Sequence, residues 1–194
     1  NVINECVKHD VKKIIFSSSM AIYGQGTPPF KEEDQPRPED PYGISKYAVE
    51  MDLEQAYQQF GLNYTIIRPH NIVGIRQKIW DRYRNVIGIW IRWVLKGESI
   101  RIFGDGEQTR AFSDIKFYLE PMHTVLTEHN RKIFNLGSDH ELTLNQVAEI
   151  LKEIAQEFDF NPTIEHGEAR KEVKHAYSNH DKAKTLLKFR DKTN

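Results

Sequence analysis

Between Val11 and Arg68 the chain passes from a short β-branched run, through a long amphipathic stretch, into a second β-branched run, and few folds accept that order. Val11–Ser18 (VKKIIFSS) has the branched, apolar centre of a buried strand. From Tyr42 to Phe60, the residues Val49, Leu53, Ala56 and Phe60 share one helical face, and Gly61 supplies the stop. Asn63–Arg68 (NYTIIR) is a second strand, closed by Pro69. Strand, helix and strand in succession predict a right-handed parallel crossover, so the expected class is α/β. The Gly-, Pro- and acid-rich span 24–41 shows neither period and is read as a loop.

The flanking elements are shorter. Asn1–His9 places Val2, Ile3, Cys6 and Val7 at helical spacing. Asn85–Lys96 (NVIGIWIRWVLK) is an apolar helix candidate, followed by a strand at Ser99–Phe103 and a tight turn at Gly104–Gly106. A strand is expected at Lys132–Leu136, stopped by Gly137. Thr143 and Gln146 form a capping box for a helix that runs to Phe158, with Val147, Ile150, Leu151, Ile154 and Phe158 on one face. A strand near Thr163–His166 and a short helix at Asp181–Leu187 complete the reading.

Composition removes several function classes. An aromatic content of 11% and a net charge of −1 exclude a disordered chain and disfavour a dedicated nucleic-acid binder. The aromatic stretch Trp80, Tyr83, Trp90 and Trp93 is accordingly read as core and domain interface, not as a stacking platform. A single cysteine, Cys6, excludes a disulfide framework or a Cys-based zinc site and fits a reducing compartment, so a cytoplasmic setting is expected. The histidines lack metal-ligand spacing, with His175 and His180 five apart, and no metal is expected. No apolar run approaches the ~20 residues that span a bilayer, and the first residues do not show a basic-then-apolar leader pattern, so no membrane partner is expected. Asn63-Tyr64-Thr65 matches a glycosylation acceptor but falls within a strand and is read as chance.

The chemistry concentrates at Tyr42-Gly43-Ile44-Ser45-Lys46. Side chains at i and i+4 of a helix share a face one turn apart. A free phenol, with a pKa of about 10, is a poor base at neutral pH, and a neighbouring ammonium favours the phenolate. Alone, such a pair is more often a surface tyrosine beside a solvated lysine. Two contexts lift it above that reading. Phe16-Ser17-Ser18-Ser19-Met20-Ala21-Ile22-Tyr23-Gly24 puts hydroxyls at the carboxyl end of a parallel strand, the edge where open α/β sheets bind ligands. Arg68-Pro69-His70-Asn71 ends the second strand in the same way.

With these residues in view, the chain resembles the extended short-chain dehydrogenase/reductase family, and within it the NAD-dependent nucleotide-sugar epimerases of the UDP-glucose 4-epimerase type. The matching stretches are FSSSMAIYG, PYGISKYAVE, IIRPHNIVGIRQ, IRIFGDGEQTRAF, IFNLGS and EVKHAYSNHDKAKTLL, in family order. The resemblance implies Tyr42 as catalytic base, Lys46 as its partner on the cofactor ribose, and Ser19 as the hydroxyl bridging substrate and tyrosine. It implies cofactor contacts from Ser17, Ser18, Tyr42, Lys46 and His70, although His70 reads equally well as a satisfied, partly buried histidine. Substrate contacts are implied for Ser19, Asn71, Asn85, Phe103, Arg110, Arg170 and Ala176. Ala176 is reached by counting four places from Glu172, where a small residue leaves room for an N-acetyl group.

The fold implied is the later part of a Rossmann-like domain, 1–72 with a return at about 112–136, joined to a smaller α/β substrate domain, 73–111 and 137–194. NAD is the implied cofactor, a UDP-linked sugar the substrate, and a homodimer the assembly of the full-length parent, with neither nucleic acid nor membrane as partner. Nothing resembles the family's Gly-x-x-Gly-x-x-Gly turn and the chain stops before the family's last helix, so a segment of a longer enzyme, inactive in isolation, is expected. Met20-Ala21 stands where 4,6-dehydratases resemble one another in carrying Asp-Glu, which favours 4-epimerisation. The alternatives are a dehydratase or decarboxylase of the same family, or a non-catalytic remnant.

Overall fold

Strand β1 (Lys13–Ser17), preceded by helix α1 (Val2–Lys8), runs through a 3₁₀ turn (Met20–Tyr23) and a long loop into helix α2 (Pro41–Phe60) and strand β2 (Asn63–Pro69). In the computed structural model, which describes residues 2–80, 85–170 and 173–192, these form the expected parallel crossover. Ile14 lies opposite Tyr64 and Ser17 opposite Ile67. The chain continues through β3 (Ile72–Val73), α3 (Val86–Leu95), β4 (Ile100–Phe103), β5 (Thr109–Ala111) and β6 (Ser113–Asp114). Then come α4 (Leu119–Thr127), β7 (Lys132–Leu136), β8 (Glu141–Thr143), α5 (Leu144–Gln156), β9 (Ile164–Gly167), β10 (His175–Ala176) and α6 (Asp181–Leu186).

The first sheet has the order β1-β2-β7, all parallel. Alternation along β2 sends Tyr64 and Ile66 to one face, where they pack with Ile3, Leu53 and Ala56 of α1 and α2. Ile67 points to the other face and packs with Tyr118, Val125 and Phe134. Being covered on both faces is why β2 reads as a near-continuous apolar run. The last helix joins this second cluster through Ala183, with Leu187 and Phe189 just beyond it. Residues 181–189 therefore sit against the first sheet.

A second core gathers Trp90 and Val94 of α3, Ile100 and Ile102 of β4, and Leu144, Val147 and Ala148 of α5. Here β4 pairs with β9, and β5 lies between β10 and β8.

Several local expectations are revised. Phe60 is 63% exposed and Phe158 68%, because each stands at or past the end of its helix and beyond the packed layer. In α5 Val147 is buried and Leu151 packs on the core as expected, but the buried line is completed by Leu144, Ala148 and Ala155, which leaves Ile150 and Ile154 on its exposed shoulder. Trp90 is buried as expected, whereas Trp80 is mostly exposed. Tyr83 and Glu172 lie outside the described residues. Helix α4 lacks a clear signal in the sequence because Pro121 punctuates it; within the first turn a missing N–H costs no helical bond. Among the described residues no helix is long and apolar enough to cross a membrane.

Candidate active site

Tyr42 owes its position to its glycine neighbour. A Cβ on Gly43 would stand 2.7 Å from the Ala21 carbonyl oxygen, so only glycine lets the first turn of α2 close onto the serine turn. Asp40 caps α2 by accepting the Gly43 N–H at 2.6 Å, and Pro41 occupies the first turn. Opposite, Ser19 caps the 3₁₀ turn, its Oγ accepting the Ala21 N–H at 3.1 Å. Ser19 and Tyr42 thus line the same cleft.

One turn along α2, Lys46 Nζ lies 5.6 Å from the centre of the Tyr42 ring and 5.0 Å from that of Phe16. It donates to the Ser17 carbonyl at 2.7 Å. Partial burial holds the Lys46 pKa below its ordinary value. Ser18 Oγ is buried without a hydrogen-bond partner among the described residues, beside this group.

Three adjoining clefts converge on Asn71. The largest, about 770 Å³, is walled by Ser19, Met20, Ala21, Tyr42, His70, Asn71, Arg110 and Ala176. The second, about 710 Å³, takes Ser17, Ser18, Ser19, Tyr42, Asn71 and Asn85. The third, about 450 Å³, is lined by Asn71, Asn85, Trp90, Trp93, Phe103, Arg110 and Arg170. Of the residues singled out in the sequence, all but Lys46 line these clefts, and Lys46 stands behind Tyr42.

Their bonding differs in kind. The Arg170 guanidinium stacks on Phe103, 3.3 Å from the ring centre. The Asn85 amide is engaged within the protein: Oδ1 accepts from Gly88 N and Gln77 Nε2, and Nδ2 donates to the Ile72 carbonyl at 2.8 Å. Asn71, at φ +42°, donates to the Ala111 carbonyl at 3.0 Å. His70 is 2% exposed, and burial together with the nearby His180 pushes its pKa down to about 3.

A buried polar network behind the largest cleft escaped the sequence reading. Arg68 meets Glu50 in a two-pronged pair, at 3.1 and 2.6 Å, and donates to Tyr23 Oη at 2.8 Å. Tyr23 donates to Asn135 Oδ1, and Asn135 donates from its backbone to Glu32 and from its side chain to the Phe30 carbonyl. Burial pushes the Tyr23 phenol up to about 12, so it stays protonated as a hydrogen-bond donor, and burial likewise raises Glu32 above the ordinary carboxyl range. The signal was present as a charged residue, Glu50, three places from Leu53 on a buried helix face, and an arginine ending an apolar strand. The network ties the 24–41 loop to β2, β7 and α2, and so holds Phe30 in the cleft wall.

The constellation of serine turn, Tyr-x-x-x-Lys helix and asparagine at a strand end agrees with similarity to known proteins. The profile of the NAD dependent epimerase/dehydratase family matches residues 1–137. The UDP-N-acetyl-alpha-D-glucosaminuronate decarboxylase of Bacillus cytotoxicus is 36% identical over 153 residues, covering 74% of this chain and 46% of that protein. The putative UDP-glucose 4-epimerase of Methanocaldococcus jannaschii is 35% identical over 154 residues, covering 78% of this chain and 50% of that protein. The structure of the Thermotoga maritima UDP-glucose 4-epimerase with UDP-glucose superposes with a TM-score of 0.90 at 34% identity, covering 100% of this chain and 62% of that one. The chain thus spans about half the length of the curated relatives it matches. By sequence and by architecture, it belongs to the NAD dependent epimerase/dehydratase family.

Proposed function

We propose that the chain carries the catalytic residues of an enzyme that inverts C4 of a UDP-linked hexose or N-acetylhexosamine, with NAD as a regenerated cofactor. The observation that carries this reading is the grouping of Tyr42, Lys46 and Ser19 where two clefts join. Tyr42 accepts the proton of the C4 hydroxyl, and the Lys46 ammonium offsets the charge on the phenolate oxygen. Ser19 has its oxygen engaged by Ala21, which leaves its O–H to donate toward the substrate oxygen. NAD, when bound, would supply a reversible hydride acceptor for C4 of the sugar. The residues present fit that group: Ser17, Ser18 and Tyr42 line one cleft, and Lys46, one turn along α2, places its ammonium 5.6 Å from the Tyr42 ring centre, a donor set suited to a polar cofactor. Asn71, Arg110 and the Arg170–Phe103 stack offer the diphosphate and base an amide, guanidinium groups and a flat surface.

A decarboxylase is the second reading, favoured by the 36% identity to an enzyme named for that reaction. Met20 and Ala21 in the cleft wall bring no carboxylate to the place where dehydratases resemble one another in having two, and this argues against a dehydratase. The full-length parent is further proposed to act in the cytoplasm and to pair with a second copy through α2 and α1; Ile44 and Met51 of α2 are about half exposed. Light scattering that finds monomers at high concentration removes the pairing.

Tyr42→Phe tests the main reading, because the ring stays packed but cannot take a proton. In the full-length enzyme kcat should fall by about 10²–10⁴ with KM little changed. A kcat within about threefold of wild type overturns the role given to Tyr42. Product analysis on UDP-glucose and on a UDP-uronic acid separates epimerisation from decarboxylation by release of CO₂.

A further inference from the structure

Behind the cleft that holds Tyr42, two histidines 110 residues apart share one hydrogen-bond contact: His70 Nε2 lies 2.9 Å from His180 Nε2, with the rings stacked at 5.0 Å. His180 Nδ1 lies 2.9 Å from Asp139 Oδ1, and Lys184 Nζ pairs with the other oxygen, Asp139 Oδ2. On the far side, His70 Nδ1 faces the Ala111 carbonyl at 3.4 Å, the same oxygen that accepts the Asn71 amide at 3.0 Å. Both rings are buried, whereas the Asp139 side chain is about half exposed. Gly137 makes the meeting possible, since a Cβ there would lie 1.8 Å from His70 Nε2.

The proton positions follow from which atoms can donate. A carboxylate only accepts, so His180 must carry its proton on Nδ1. Burial keeps both imidazoles neutral; Asp139 and Asp191 favour a further proton on His180, Lys184 opposes it, and the desolvation of the ring is the largest influence. Neutral His180 with Nδ1–H has a lone pair on Nε2, so the proton in the shared contact belongs to His70 Nε2. Nδ1 of His70 is then a lone pair and cannot donate to Ala111, in keeping with a separation beyond the usual 2.7–3.2 Å of such bonds.

We propose that Asp139 and His180 are positioning residues for the substrate cleft: they lock His70 as the Nε2–H tautomer, so that the Ala111 carbonyl is not shared between His70 Nδ1 and Asn71, and the undivided bond from Asn71 fixes how that amide faces the cleft. The ligand named for that cleft rests on the function proposed above. The tautomer assignment does not.

Asp139→Asn provides the test, because Lys184 chooses the orientation of the new amide. The ammonium requires the amide oxygen, which turns the NH₂ toward His180 Nδ1 and forces the His180 proton onto Nε2. His180 then donates to His70, whose own proton moves to Nδ1 and onto the Ala111 carbonyl. Long-range ¹H–¹⁵N spectra of the chain at pH 7, assigned with His70→Gln and His180→Gln, read each nitrogen directly. Wild type should show His70 protonated at Nε2 and His180 at Nδ1. D139N should invert both and shift the Asn71 side-chain amide resonance. Wild-type His70 protonated at Nδ1 overturns the proposal without any variant, and so do unmoved tautomers or an unmoved Asn71 amide in a folded D139N. UDP-glucose titrated into both proteins should bind D139N about three- to tenfold more weakly, the equivalent of one ordinary hydrogen bond. Equal affinity with inverted tautomers removes the positioning role. Absence of UDP-glucose binding to wild type refutes the nucleotide-sugar reading instead, and the Asn71 amide shift then decides the positioning role alone.

Discussion

Gly43 and Ala176 carry almost no side chain, yet both shape the cleft that Tyr42 faces. Gly43→Ala would gain roughly 1 kcal/mol of helix propensity in a free helix. Here the added methyl meets a backbone oxygen at 2.7 Å, which must move, and overpacking of this kind costs about 1–3 kcal/mol. The clash wins, so urea denaturation should show a net loss, and the displaced serine turn should lower kcat of the full-length enzyme. Ala176 lies in the wall with Met20 and Ala21, a row of small or unbranched side chains that leaves room in that cleft. Ala176→Tyr is expected to suppress turnover of a UDP-N-acetylhexosamine while sparing the plain hexose, because a filled pocket rejects the larger ligand. Parallel kcat/KM measurements on both substrates check this, and equal losses would remove Ala176 from the sugar pocket.

Among the elements, α2 is fastened to β2 by one buried ion pair, and its energetics differ from those of the surface pairs. Arg68 and Glu50 are 3% and 4% exposed in their side chains, whereas Lys8 and Glu5 are 68% and 56% exposed. Removing Glu50 strands a buried guanidinium, so Glu50→Ala should cost about 3–5 kcal/mol in urea denaturation. Glu5→Ala should change stability by less than about 1 kcal/mol. Helix α5 depends on a smaller device. Thr143 Oγ1 accepts the Gln146 N–H at 3.1 Å and Gln146 Oε1 accepts the Thr143 N–H at 2.8 Å, closing the capping box that the spacing predicts. Thr143→Ala should cost about 1 kcal/mol.

At the scale of the whole molecule, the buried histidine pair makes stability depend on pH in a definite direction. His70 has a pKa of about 3 in the folded chain against 6.5 for the free side chain. Between these values the unfolded chain binds the extra proton, so stability increases with pH across that window. His70 stays neutral in both states above pH 6.5 and exerts no penalty there. Below it, the folded chain loses up to about 1.4 kcal/mol per pH unit for this one group. His180, also lowered by burial, adds to the same trend. Urea midpoints should therefore fall steadily from pH 7 to pH 5, with a shallower slope in His70→Gln.

The sequence by itself determined whatever depends on neighbours within a few positions. The crossover from β1 through α2 to β2, the Thr143 capping box and the placing of Tyr42 and Lys46 on one helix face all follow from periods of two and 3.6 residues and from local cap chemistry. The serine turn and His70-Asn71 were also legible, because strand ends and their following turns are where a parallel sheet presents side chains to ligands, whereas Asn85, Phe103, Arg110, Arg170 and Ala176 were reached only through the family resemblance. Only the tertiary structure decided which apolar faces are covered, why Ile150 and Phe158 stay exposed, and that residues 181–189 pack on the first sheet. It alone joined Arg68 to Glu50 and, through Tyr23, to Asn135, and His70 to His180 and, through His180, to Asp139. No local period encodes such pairs: a buried polar group needs a partner, but which partner reaches it depends on how distant segments of the chain are brought together.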